Sequence, residues 1–170
     1  MSQEKTIKFE LPYENSLRTL YKTVKLKPYD MKICACDLEL KACEIEFSDI
    51  EIFAKLQNKK EEVIFLIADK NAHLHIKNHG IISGDKKDYD NISFHKEDKT
   101  TQFVFLTKDL ADKTWLLGDK IIFNADYVLP NGAIAVEKNT EIAYFDLKYK
   151  FSKKNWISFN SFLVIVNKII

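Results

Sequence analysis

The chain has 170 residues, of which 46% are hydrophobic and 30% charged, a composition typical of a globular domain that buries its core without disulfides. The net charge is only +1, and Arg18 is the single arginine, which argues against a surface that attracts nucleic acid or anionic membranes through charge. We therefore expect a single β-rich domain over residues 1–170 that binds no nucleic acid.

Two N-terminal stretches alternate between apolar and polar residues in the manner of β-strands. The first covers residues 6–11 and the second covers residues 31–47. Four residues of the second stretch are expected to share one face: Cys34, Cys36, Leu38 and Leu40. Because the apolar positions change parity from Cys43 onward, the sequence predicts a bulge or turn near Lys41–Ala42.

Helical signals are few. Ser48 and Glu51 have the spacing of a capping box, in which both side chains accept hydrogen bonds from backbone N–H groups at a helix start. Apolar residues follow at helical spacing, so the sequence predicts a helix over 49–58. One helical turn is expected at 107–112, and residues 15–24 fit either a helix or a strand.

Short strand-like segments dominate the rest of the chain. Residues 63–68 are continuously apolar, as in a strand that is buried on both faces. Further strands are expected at 72–76, 92–94, 102–107, 120–129, 133–136, 142–151 and 156–166. Pro130-Asn131-Gly132 marks a turn that should fold residues 133–136 back as a hairpin. The pattern predicts a mainly β fold, either an antiparallel β-sandwich or a closed β-barrel of about ten strands with one or two short helices.

Three histidines form the most suggestive group of ligands: His73, His75 and His79. On a strand the first two would point to the same side, and the third would curl back from the following loop toward a divalent metal. A second interpretation is that the histidines face solvent. It follows from the apolar face formed by Ala72, Leu74 and Ile76.

The pair His73 and His75 resembles the first motif of the cupin barrels, in which two histidines one residue apart bind metal. Pro130-Asn131-Gly132 resembles the Pro-x-Gly of the second cupin motif. The resemblance implies a metal-dependent small-molecule enzyme or binding barrel. The chain departs from the cupin pattern because Lys77 and Asn78 occupy the interval of the cupin glutamate, and no histidine follows His95.

The three cysteines, Cys34, Cys36 and Cys43, have neither the even number of a disulfide scaffold nor a usual zinc-binding spacing. We expect them to be reduced thiols of the core in a cytoplasmic protein. No apolar signal segment follows Met1, and the longest late apolar run, 162–166, is too short to span a bilayer. The sequence therefore predicts no membrane insertion.

No nucleophile elbow or phosphate-binding glycine loop is present, so no catalytic residue and no cofactor are predicted, and an enzyme is disfavoured. Residues 37–51 carry six acids against Lys41, and residues 146–154 carry four lysines against Asp146, a charge asymmetry that could dock copies head to tail. We predict a non-enzymatic protein-interaction module that binds a protein partner or itself. Its size and strand-rich plan are similar to those of tube and ring subunits of secretion and phage-tail machines. The alternative is the cupin-like metal protein.

Overall fold

A computed structural model describes residues 5–13, 16–26, 33–129, 134–135, 141–147 and 157–158. Within these ranges the chain forms strands and a single short helix. The strands of the first half are β1 (Lys5–Tyr13), β2 (Ser16–Leu26), β3 (Ala35–Glu39), β4 (Glu44–Ser48), β5 (Glu51–Gln57), β6 (Glu61–Ile67), β7 (His73–Ile76) and β8 (Gly80–Ser83). The remaining elements are β9 (Asn91–Lys96), β10 (Lys99–Leu106), α1 (Lys108–Ala111), β11 (Trp115–Leu117), β12 (Lys120–Phe123), β13 (Tyr127–Val128), β14 (Ile134–Ala135), β15 (Glu141–Asp146) and β16 (Ile157–Ser158).

Three four-stranded sheets and two hairpins contain these strands. The first sheet has the order β3-β4-β7-β8, the central sheet β5-β6-β10-β9, and the third sheet β11-β12-β15-β16. The hairpins are β1-β2 and β13-β14. Among the pairings described, only that of β6 with β10 is parallel. The mainly β class is confirmed, with more strands than the ten expected, and the described strands close no barrel.

The central sheet contributes side chains to cores on both of its faces. One buried cluster joins it to the first sheet through Ile45, Leu74, Ile76, Ile64, Leu66, Phe103 and Phe105. Another joins it to the third sheet and α1 through Val63, Phe65, Val104, Leu106, Leu110, Ile121, Phe123 and Phe145. The expectation that residues 63–68 are buried on both faces is therefore confirmed, because successive side chains of β6 enter opposite clusters.

The predicted helix over 49–58 is wrong, because residues 51–57 form strand β5. Ser48 caps no helix; its hydroxyl accepts a hydrogen bond from the N–H of Ile50 at 3.1 Å, which closes a local turn. After the turn, Ala54 and Leu56 are buried and alternate with exposed neighbours. Pairing with β6 stabilises residues 51–57 as a strand, although their apolar residues also have a weak helical spacing.

The expected shared face of Cys36 and Leu38 is also wrong. The turn near Lys41–Ala42 is confirmed by a hydrogen bond from Leu40 N–H to Cys43 O at 2.9 Å, but the bulge lies further along, within β4. There Ile45 pairs with Ile76, and Phe47 pairs with His75. His75 and Ile76 are consecutive residues of β7 and point to opposite faces of the sheet. Their partners Phe47 and Ile45 therefore also point to opposite faces. Cys36 pairs with Phe47 and Leu38 with Ile45, so these two residues also lie on opposite faces.

The other predicted elements are confirmed with changed limits. Residues 16–24 lie in β2, while residue 15 lies outside the described residues. The expected turn at 107–112 is α1, and at its start the Leu110 N–H donates to the Thr107 hydroxyl at 3.4 Å. The expected strand over 120–129 divides into β12 and β13 around Asn124, whose φ is +60°. The hairpin of β13 with β14 is confirmed, while its Pro130-Asn131-Gly132 turn lies outside the described residues. The same holds for residues 148–151 and most of 156–166.

Candidate functional site

The structure does not bring the three histidines of the predicted metal site together as one ligand group. His75 is only 6% exposed, which contradicts the interpretation that it faces solvent. It lies on β7, an inner strand of the first sheet, with its ring edge-on to Phe47 at 6.0 Å between centroids. His73 is half-buried, and its backbone N–H donates to the Asp49 carboxylate at 2.5 Å. The exposed ring of His79 packs against Phe94 of β9, with centroids 4.9 Å apart.

Over the described ranges, no group of three or more His, Cys, Asp or Glu side chains is placed to hold a metal ion. His79 is directed toward β9, whereas His75 is buried beside Phe47 on the face of the first sheet opposite Ile45. A metal bound by His73 and His75 alone remains a prediction from the sequence.

All three cysteines are thiols, and none is fully buried, so their predicted place in the core is only partly met. Burial raises the pKa of Cys43, and a hydrogen bond with Thr101 offsets this only in part, so that the pKa is about 11. Burial, followed by the charge of Asp37, raises the pKa of Cys36. Since the thiolate is the reactive form, both side chains are poor nucleophiles near neutral pH.

A buried carboxylate that no sequence motif indicates lies beside Cys43. Glu62 is 1% exposed and accepts hydrogen bonds from the Lys41 backbone N–H and, at 2.7 Å, from the Thr101 hydroxyl. The Lys55 ammonium lies 2.7 Å from its other oxygen, and Thr101 in turn accepts the Ala42 N–H at 2.9 Å. The group holds the turn of the first sheet to the central sheet, and its oxygens are occupied by these contacts. We assign it a structural role.

One edge of the central sheet is strand β9, which pairs with β10 through six consecutive residues without a bulge. A two-residue loop, Glu97-Asp98, joins the two strands, with φ +56° at Glu97. Ile92 and Phe94 pack into the cluster shared with the first sheet, while three alternate side chains on the other face are exposed. These are Asn91, Ser93 and His95.

The backbone of β9 presents hydrogen-bonding groups along its outer edge. Phe105 N–H donates to Asp90 O at 2.8 Å, so Asp90 turns its carbonyl toward β10. In an antiparallel ladder this orientation repeats at every second residue, and the residues between turn N–H and C=O away from the partner strand. Asn91, Ser93 and His95 therefore direct their backbone groups outward, where no strand in the described part of the chain pairs with them.

A cleft of about 680 Å³ runs beside these residues, within the size range of ligand-binding cavities. Its polar side contains the Asn91, Ser93 and His95 row together with Gln102, whose amide donates to Asn91 Oδ1 at 3.3 Å. Its apolar side contains Tyr89, Val104, Phe145 and Leu147. The polar groups of this row can donate or accept hydrogen bonds, which suits recognition of another molecule.

Burial and, to a smaller extent, the charge of Asp88 together raise the pKa of Tyr89 to about 12. The phenol therefore keeps its proton and acts as a hydrogen-bond group in the cleft, not as a base. The sequence predicts a strand at 92–94 but does not mark it as a site, because the order of strands in a sheet is not encoded in local periodicity.

Comparison of the sequence with protein-family models finds no match, and neither does comparison with curated proteins. No helix in the described ranges is both long enough and apolar enough to cross a membrane. The geometry of β9 and its cleft is accordingly the best guide to what the protein does.

Proposed function

We propose that this protein is a non-enzymatic interaction module, a single β-rich domain of layered sheets that serves as a subunit of a homo-oligomeric assembly. The observation that carries the proposal is the outer edge of β9, which no described strand covers. Outward backbone donors and acceptors at Asn91, Ser93 and His95 are the groups that another strand would satisfy.

Other edges of the four-stranded sheets are less suited to adding a strand. On the opposite edge of the central sheet, β5 is interrupted by a register shift between Ile52 and Ala54. In the first sheet, β3 contains a positive φ of +46° at Asp37, and β8 has four residues. In the third sheet, β11 has three residues. Bulges and short strands are the common ways in which proteins protect sheet edges, and β9 has neither between Asn91 and Lys96.

A proline in the middle of β9 tests this proposal. Ser93→Pro removes an outward N–H that the β10 ladder does not use, and edge strands tolerate such a proline. Light scattering over a wide range of protein concentration should show masses above 19.9 kDa for the native chain, and the monomer mass for this variant. Ser93→Ala, which keeps the N–H, is the matched control and should assemble like the native chain.

Circular dichroism and thermal unfolding of both variants establish that the fold is intact. A native chain that stays monomeric at every concentration contradicts the proposed assembly. Equal assembly by the native chain and the folded Ser93→Pro variant contradicts the role of β9.

A further inference from the structure

We propose that the partner of β9 is the β9 strand of a second copy, paired antiparallel about a twofold axis at Ser93. This inference rests on the proposed function and adds to it the partner, the register and the symmetry. Ser93 is the middle one of the three residues that turn their backbone groups outward. An axis through it is therefore the one that brings all three into the new ladder.

The register follows directly from that axis. Ser93 faces Ser93 of the other copy, and Asn91 faces His95 in both directions. The two residues of each pair exchange both N–H···O bonds, because all these backbone groups point outward. The two four-stranded central sheets then become one continuous sheet.

Side chains on both faces agree with this register. On the face that contacts the first sheet, Ile92 of one copy lies opposite Phe94 of the other, which adds an apolar cross-strand pair at half-buried positions. On the opposite face the polar rows of the two clefts meet. A twofold axis perpendicular to the sheet keeps both clefts on the same side.

Charge supports the same alignment. Asp90 and Lys96 are both exposed, and they lie three residues before and after Ser93. The twofold axis therefore places each Asp90 opposite the Lys96 of the other copy. A shift of the axis to Asn91 or to His95 removes both charge pairs and leaves an outward residue outside the ladder. Both copies use the same edge strand, so the pairing leaves no free β9 edge and yields a dimer and not a fibre.

Cysteine pairs test the register. In S93C the two introduced cysteines form a hydrogen-bonded cross-strand pair. Their Cα atoms lie about 5.5 Å apart, and this distance is within the range of a disulfide. Mild oxidation should link S93C into a dimer, as seen on a non-reducing gel. N91C alone should not link, because its counterpart is His95, whereas a mixture of N91C and H95C should. The native chain, with its three cysteines, gives the background.

Charge exchange provides a second test that does not depend on oxidation. D90K places lysines opposite each other in its homodimer, and K96D places aspartates opposite each other. Each should raise the dimer dissociation constant by about tenfold. An equal mixture should form a heterodimer of native affinity, because both opposite-charge pairs return. Native mass spectrometry measures the fraction of heterodimer in the mixture directly.

Failure of this inference is distinguishable from failure of the proposed function. If Ser93→Pro abolishes assembly but S93C forms no link and the mixed charge variants regain nothing, β9 is the interaction element and the register is wrong. If Ser93→Pro leaves assembly intact, the role of β9 and the pairing about Ser93 both fall, and if the native chain is monomeric at every concentration, the proposed assembly falls as well.

Discussion

Glu62 shows how one side chain can connect two sheets. Its carboxylate is buried on β6 of the central sheet, yet one of its donors is the backbone N–H of Lys41 in the turn of the first sheet. Burial by itself raises the pKa of this group. Hydrogen bonds from Lys55, Lys41 and Thr101, with the charge of Lys55, outweigh burial and hold the pKa below its ordinary value.

The lowered pKa makes stability depend on acid. Because the folded state holds the proton less tightly than the unfolded state, the contribution of Glu62 is complete above the ordinary pKa of 4.5 and disappears as pH falls through the lower folded value. Glu62→Gln should lower the free energy of unfolding at neutral pH by about 1–3 kcal/mol and reduce its decline in acid. Urea unfolding over this pH range measures both. Glu51→Gln, at an exposed position, is the control, and an acid profile unchanged by Glu62→Gln would contradict the assignment.

The thiols offer a second test at the residue scale. Cys43 has a pKa of about 11, so almost none of it is thiolate at neutral pH. Iodoacetamide should therefore label Cys43 of the folded chain far more slowly than the same residue after denaturation, as followed by peptide mass spectrometry. Raising the pH toward 11 should accelerate labelling. Fast labelling of the folded chain at neutral pH would contradict the placement of Cys43 beside Glu62.

At the scale of elements, period-two patterns predicted strand content well and strand relations poorly. Residues 63–68 were identified because a strand between two cores is apolar at every position. Residues 49–58 were predicted as a helix because Ser48 and Glu51 match a capping box, and the turn at Ser48 has the same local chemistry. Pairing with β6 favours the strand over the helix, and the local sequence pattern does not indicate that pairing.

The candidate site was beyond prediction for a similar reason. The pattern indicated that 92–94 is a strand, but an edge position depends on which strands fail to pair, and that is a property of the whole sheet. The bulge in β4 likewise turned Cys36 and Leu38 to opposite faces, although a regular strand would have kept them together. Short strands such as β8 and β11 carry too few residues for a period to be detected.

At the scale of the molecule, the central sheet is the element through which the two principal cores are connected. Phe65 of β6 is fully buried, and its ring lies 5.5 Å from Phe145 and 6.1 Å from Phe123, between centroids. The next residue, Leu66, belongs to the cluster on the other face. A loss of packing on one face of β6 should therefore destabilise both cores, because both contain side chains of this strand.

This arrangement predicts cooperative unfolding of the described sheets. Phe65→Ala should lower the free energy of unfolding by about 3–5 kcal/mol, and Ile81→Ala, at a position 58% exposed, by less than about 0.5 kcal/mol. If the central sheet unites the cores, the far-ultraviolet signal of the strands and the near-ultraviolet signal of the aromatic side chains should shift together in Phe65→Ala. Transitions that separate in this variant would show that the sheets on either side of β6 unfold independently.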